Sequence, residues 1–217
     1  MPFRKSLHRD FTRYWDEFYK HAHIGEPSSF AKFPRENYLH EGKSLLEIGC
    51  GNGRDAQLFG RTGLDVTAID LSEQAIMNCK ANIPSVNFLT GDFSELDLKR
   101  EFDYVYSRFT LHAVDEEAEK RTLASAWNHL GNKGLLLVEA RTILDELCGK
   151  GERISQKEWI YNGHYRRFLV PENFLGRARK AGFSPCFIHM ANGLATWQDQ
   201  DPIVIRAVFW KTQPTEH

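Results

Sequence analysis

The sequence predicts an α/β protein: a Rossmann-like, doubly wound, mostly parallel seven-stranded sheet with helices on both faces. Three observations carry this expectation. Short apolar segments alternate with amphipathic ones from residue 44 to residue 140. A glycine-rich turn, Gly49-Cys50-Gly51-Asn52-Gly53, joins the first apolar segment to the first helical one. An acid, Asp70, closes the second apolar segment.

Residues 1–40 are polar and aromatic, and Phe11, Tyr14, Trp15, Phe18 and Tyr19 recur at helical spacing. The segment GEPSSF breaks that helix, and FAKFPRENYL runs on to the first strand without an assigned element. Strands are expected at 44–48, 65–69, 86–89, 102–106 and 134–140, each short and apolar. Helices are expected at 54–62, stopped near Gly63, and from Leu71-Ser72 to Cys79, with Ser72 as N-cap. A Glu- and Ala-rich helix follows at 115–129. Residues 141–170 interrupt the alternation as a polar insertion. Pro171 then opens a helix through Lys180, closed by Gly182, and 183–189 and 203–210 supply the last two strands. Residues 1–217 thus read as one domain, with an N-terminal helical segment at 1–40 and an insertion at 141–170.

The chain has 217 residues, 41% hydrophobic and 26% charged, enough to bury a core. A formal net charge of -1 gives no support to nucleic-acid binding, which usually needs a basic face. Cys50, Cys79, Cys148 and Cys186 lie far apart, with no histidine at ligand spacing, so neither a disulfide framework nor a metal site is expected. No apolar run resembles a signal peptide or approaches a membrane span. A cytoplasmic protein without membrane or nucleic-acid partners is the expectation, and the sequence leaves the oligomeric state open.

In a doubly wound sheet the second strand ends beside the first, so Asp70 is placed to accept hydrogen bonds from both hydroxyls of a ribose. The glycine spacing is G-x-G-x-G preceded by Glu47, where a dinucleotide site wants G-x-G-x-x-G. This run resembles motif I of the class I S-adenosylmethionine-dependent methyltransferases. The likeness continues through Asp70, Gly91-Asp92-Phe93 and Phe102-Asp103-Tyr104-Val105, and Lys180-Ala181-Gly182-Phe183 looks like the usual entry to the sixth strand. The run G-C-G-N-G-R is similar to small bacterial members of the tellurite-resistance, thiopurine and polysaccharide-pathway branches.

The resemblance implies S-adenosyl-L-methionine as cofactor and S-adenosyl-L-homocysteine as product. It implies that Gly49, Cys50, Gly51 and Gly53 lie under the methionine part, with Glu47 below the ammonium group. Asp70 would take the ribose and Leu71 would pack on the adenine. Asp92 would accept the adenine amino group, Phe93 would pack near the ring, and Ser107 would face the sulfonium. A nicotinamide-dependent oxidoreductase, or a cofactor-binding protein without turnover, is the alternative.

Methyl transfer from a sulfonium is an in-line displacement, so no fixed catalytic motif is required. His112, after the fourth strand, is the candidate general base, set against a histidine that merely packs and hydrogen-bonds. Arg108 and the insertion residues Tyr165, Arg166 and Arg167 suggest a small anionic acceptor. The alternation of Tyr165, Arg166, Arg167 and Phe168 equally fits a half-exposed strand with solvated charges, on which only one arginine faces the pocket. Tyr14, Trp15 and Tyr19 on the N-terminal helix would lid the acceptor, and the 141–170 insertion would cap it. That helix could also simply pack its apolar stripe on the domain.

Overall fold

The computed structural model describes residues 12–95 and 97–212; Phe11 of the aromatic stripe lies outside them. Helix α1 covers 12–19, followed by α2 (Ser29–Asn37). The alternating core is β1 (Ser44–Ile48), α3 (Arg54–Arg61), β2 (Asp65–Asp70), α4 (Glu73–Asn82), β3 (Asn87–Thr90), β4 (Phe102–Arg108), α5 (Glu116–His129) and β5 (Leu130–Arg141). Three short strands follow, β6 (Glu152–Arg153), β7 (Glu158–Tyr161) and β8 (His164–Arg167). The chain then runs through α6 (Pro171–Lys180), β9 (Phe183–Ala191) and β10 (Val204–Lys211).

The main sheet has seven strands in the order β3-β2-β1-β4-β5-β10-β9. Pairing is parallel from β3 to β5, and β10 runs antiparallel between β5 and β9. The strand order reverses beside β1, where β1 contacts both β2 and β4, and this is the switch point at which α/β sheets open a crevice.

Strand periodicity sorts the core into two layers. On β5, Leu135 and Leu137 face the cluster that includes Phe30, Phe59, Ile76 and Cys79 from α2, α3 and α4. Leu136, Val138 and Ala140 face the opposite cluster with Leu123, Ala126, Phe174 and Ala178 from α5 and α6. Caps fix where the helices start. Ser28, Ser72 and Asp115 each accept a backbone N–H three residues on.

Two segments differ from the sequence expectation. FAKFPREN is helical despite Pro34, because Ser28 caps it and Phe30, Ala31 and Pro34 are buried. Phe30 stacks on Tyr106 at 5.1 Å, a tertiary contact that outweighs the helix-breaking tendency. The insertion is a meander of its own, β6-β7-β8, closed over Leu147, Trp159 and Phe168. No helix among the described residues is long and apolar enough to cross a membrane.

Candidate active site

The ends of β1, β2, β4 and β5 border a crevice of about 2060 Å³, closed above by α1 and flanked by the β6-β7-β8 flap. Its β1–β2 side is main-chain work. Gly49 and Gly51 adopt φ of 71° and 53°, in the left-handed region that glycine enters without cost. A Cβ on Gly51 would sit 2.4 Å from Tyr19 Oη, and one on Gly49 2.3 Å from Thr110 Oγ1, so at both positions a neighbouring side chain packs where a Cβ would stand. Asp70 Oδ2 accepts the Gly51 N–H at 2.8 Å and Oδ1 accepts the Ser72 N–H at 2.9 Å. Burial pushes the Asp70 carboxyl up, and the backbone N–H groups of Ser72, Gly51 and Leu71 pull it back.

Glu47 is buried on the same wall, and its Oε2 has no hydrogen-bond partner among the described residues. Burial, then the neighbouring Asp55, holds its carboxyl well above the usual range. A buried carboxylate oxygen without a donor is costly, so the site asks for a cationic or donor group there. Leu71, Asp92 and Phe93 continue the lining. Asp92 Oδ1 also accepts the Ser94 N–H at 2.8 Å, so this residue shapes its own turn as well as the wall.

The opposite side is built from charge. Glu139 is fully buried, accepting from Arg108 Nε at 2.8 Å and from Arg206 Nε at 2.7 Å. Arg141 holds both oxygens of Asp145, at 2.9 and 3.2 Å, and Gln200 Oε1 at 3.0 Å. Phe109 lies between these arginines, 4.1 Å from the Arg108 guanidinium and 5.4 Å from that of Arg141. Its φ of 57° is unusual for a non-glycine residue, a strained conformation at the crevice. His112, 2% exposed, borders the crevice beside it. Burial, then Arg141, His164, Arg166 and Arg108, keeps its imidazole well below the ordinary histidine range.

On β8 the faces alternate, with His164 and Arg166 on one and Tyr165 and Arg167 on the other. Arg166 reaches the crevice, where its guanidinium meets the Tyr161 carbonyl at 3.4 Å and no carboxylate at ion-pair distance among the described residues. Tyr165 touches the crevice too, its hydroxyl donating to Glu158 at 2.8 Å. His164 stacks on Tyr14 at 5.4 Å and stands edge-on to Trp15 at 4.7 Å. Helix α1 thereby spans both sides, because Tyr19 stands over Gly51 and Asp16 accepts the Ser72 hydroxyl at 2.6 Å.

Three residues expected on the crevice are elsewhere. Gly53 faces inward: its Cβ position lies 2.8 Å from Cys79 Sγ and from Ile83 Cδ1, so its lack of a side chain serves packing. Ser107 is 1% exposed in the sheet, with its hydroxyl unpartnered and off the crevice lining. Arg167 is turned away into a buried ion pair with Glu119, and it donates to the carbonyls of Val114 at 2.9 Å and Leu111 at 3.2 Å. The remaining expected residues, Glu47, Gly49, Cys50, Gly51, Asp70, Leu71, Asp92, Phe93, Tyr14, Trp15, Tyr19, Arg108, His112, Tyr165 and Arg166, share the one lining. Sequence reasoning passed over Glu139, Arg141 and Arg206. Arg141 ends a parallel strand, the position that already singled out Asp70 and Arg108, so the same rule finds it.

Residues 45–134 match the family model of a methyltransferase domain. An uncharacterised methyltransferase of Synechocystis sp. is 28% identical over 93 residues, covering 42% of this chain and 44% of the relative. A dTDP-3-amino-3,4,6-trideoxy-alpha-D-glucopyranose N,N-dimethyltransferase of Streptomyces venezuelae is 28% identical over 119 residues, covering 54% of this chain and 50% of the relative. The chain thus spans about half the length of these curated relatives. In fold it is similar to the crystal structure of a SAM-dependent methyltransferase from Methanosarcina mazei. The TM-score is 0.74 at 18% identity, over 82% of this chain and 96% of that one.

Proposed function

We propose that this chain is a class I S-adenosylmethionine-dependent methyltransferase, a reading supported by the methyltransferase-domain match and the fold, and that it methylates a small molecule carrying an acid group. The observation that carries the cofactor part is the orphaned Glu47 Oε2 on a crevice that the Gly49-Cys50-Gly51 turn also lines. An α-ammonium group is a donor that suits that oxygen, and the chain attached to it would run along the crevice lined by Gly49, Cys50 and Gly51. Asp70 is the ribose acceptor in this reading, Leu71 and Phe93 hold the adenine, and Asp92 takes its amino group. The bound sulfonium supplies the electrophilic methyl.

What this chain adds is alignment and the exclusion of water. The crevice exceeds the ~300–1,000 Å³ of an ordinary small-molecule site, which leaves room for cofactor and acceptor together. Helix α1 with Tyr14, Trp15 and Tyr19 is the lid, and the insertion at 141–170 is the cap of one domain. Arg108 and Arg166 support an acid group on the acceptor, and O, N and S remain alternative attacking atoms.

The test is calorimetry with S-adenosylmethionine and S-adenosylhomocysteine beside a nicotinamide dinucleotide. Both sulfur compounds should bind and the dinucleotide should not. Absence of heat with either sulfur compound at millimolar ligand overturns the reading.

A further inference from the structure

The Nδ1 atom of His112 lies 3.3 Å from the backbone nitrogen of Arg141, whose N–H points at it. A backbone N–H can only donate, so Nδ1 is the acceptor. A neutral imidazole with an accepting Nδ1 carries its hydrogen on Nε2. No hydrogen bond to Nε2 is found among the described residues, and the residue lines the crevice.

Around this donor stand other donors. Arg108 projects from the end of β4, Arg141 from the end of β5, and Arg166 from β8. The carboxylates behind them are already engaged: Glu139 serves Arg108 and Arg206, and Asp145 serves Arg141. Glu158, on the same crevice, is turned to the Tyr165 hydroxyl. Four guanidinium groups, those of Arg108, Arg141, Arg166 and Arg206, thus face two carboxylates, and Arg166 is the one without a share. A partly buried guanidinium left unpaired is a cost that an anionic ligand removes.

We propose that this end of the crevice is an oxyanion subsite. In it, His112 donates its Nε2–H, beside Arg166, to a carboxylate or phosphate of the methyl acceptor and takes no proton from it. That reverses the role of general base expected for His112 from sequence. A base needs a free lone pair, and in this tautomer the lone pair on Nδ1 is occupied by the main chain. The description of the ligand as methyl acceptor rests on the function proposed above, whereas oxyanion binding itself does not.

Nitrogen-15 NMR of the imidazoles, with the His112 signals assigned from their loss in His112→Gln, tests this on the full chain with S-adenosylhomocysteine added. The expected result is the Nε2–H tautomer, unprotonated throughout the ordinary histidine titration range. Acetate and inorganic phosphate should each shift the Nε2 signal saturably at millimolar concentration. Arg166→Gln should weaken that response about tenfold or more, the loss of one charge-assisted hydrogen bond. The Nδ1–H tautomer, protonation within that pH range, or a response that Arg166→Gln leaves intact would overturn the subsite. A response to one anion only identifies the acid group as carboxylate or as phosphate. If S-adenosylhomocysteine itself fails to bind, the methyltransferase reading falls, and the anion titration of the unliganded chain still decides the subsite.

Discussion

On the β1–β2 side of the crevice the main chain sets the geometry, whereas on the β4–β5 side buried charge does. Asp70 is gripped by backbone N–H groups, and the turn that supplies one of them is opened by glycines. Glu139, by contrast, is gripped by two arginine side chains from strands 67 residues or 31 residues away in sequence. Main-chain geometry follows from local residue types, and a charge network follows only from which strands become neighbours. The first side is therefore suited to a constant ligand, and the second can be rewritten by single substitutions.

The largest effect is expected where that second side is broken in its buried part. Arg167→Gln leaves Glu119 with Arg177 alone and removes three donors from a site 4% exposed. A loss near the lower end of the range for broken buried pairs, about 3 kcal/mol, is expected. That corresponds to a fall of about 6–12 °C in melting temperature for a chain of this size. Arg166→Gln, one residue earlier, should leave the melting temperature unchanged or raise it, because it removes an uncompensated cation. Calorimetric melting of the two variants side by side is the measurement. Equal destabilisation would erase the distinction between the two faces of β8.

A smaller effect should mark the main-chain side. In Asp70→Asn, one of the two carboxylate acceptors becomes a donor facing a backbone N–H. The unsatisfied group costs about 1–3 kcal/mol of stability. Affinity for S-adenosylhomocysteine should fall about tenfold, and phosphate binding at Arg166 should be untouched. A cofactor affinity equal to that of the parent would remove Asp70 from the site and leave it a turn residue.

The same contrast explains what could be read in the sequence. The strand from Ser44 to Ile48, the cap at Ser72 and the helix from Pro171 to Lys180 were legible because each is set by its own residues. The glycine turn and Asp70 were legible because the sheet topology brings adjacent strand ends together. The packing of Gly53 was not legible, because a glycine that lines a crevice and one that admits a neighbouring Cys79 look alike in sequence. The α2 helix was missed because Phe30 finds its partners far off in the chain, Tyr106 being 76 residues away by number. The partner of Arg167 was hidden for the same reason: Glu119 lies on α5, and nothing local connects them. Which of the two arginines faces the crevice is a matter of strand phase, and alternation said that they differ without saying which is which.

The effect that vanishes at neutral pH concerns titration, and it separates the two sides without a ligand. His164 on the arginine side is pushed down to about 3 by burial first, then by Arg166 and Arg141. Its ordinary value is 6.5, so between roughly those two pH values the unfolded chain binds a proton that the folded chain refuses. Stability from this residue is therefore complete above pH 6.5 and declines as the pH falls toward 3, by at most about 1.4 kcal/mol per pH unit. His112 is displaced in the same direction by burial and by Arg141, and it adds a decline of the same sign. Asp103, at the far end of the sheet, also loses stability in acid. Its own burial opposes the shift, but Ser44 and Lys43 hold its carboxyl below the usual range. These contributions are separated by subtraction. His164→Phe keeps an aromatic ring beside Tyr14 and Trp15 and removes the titration together with the buried, unpartnered Nε2. The difference in unfolding free energy between parent and variant should grow steadily in the variant's favour from pH 6.5 downward, while the Asp103 contribution cancels. Denaturant titrations at several pH values across that window measure it. A difference independent of pH would mean that His164 is solvated in the folded protein, and that the cationic side of the crevice is open to water.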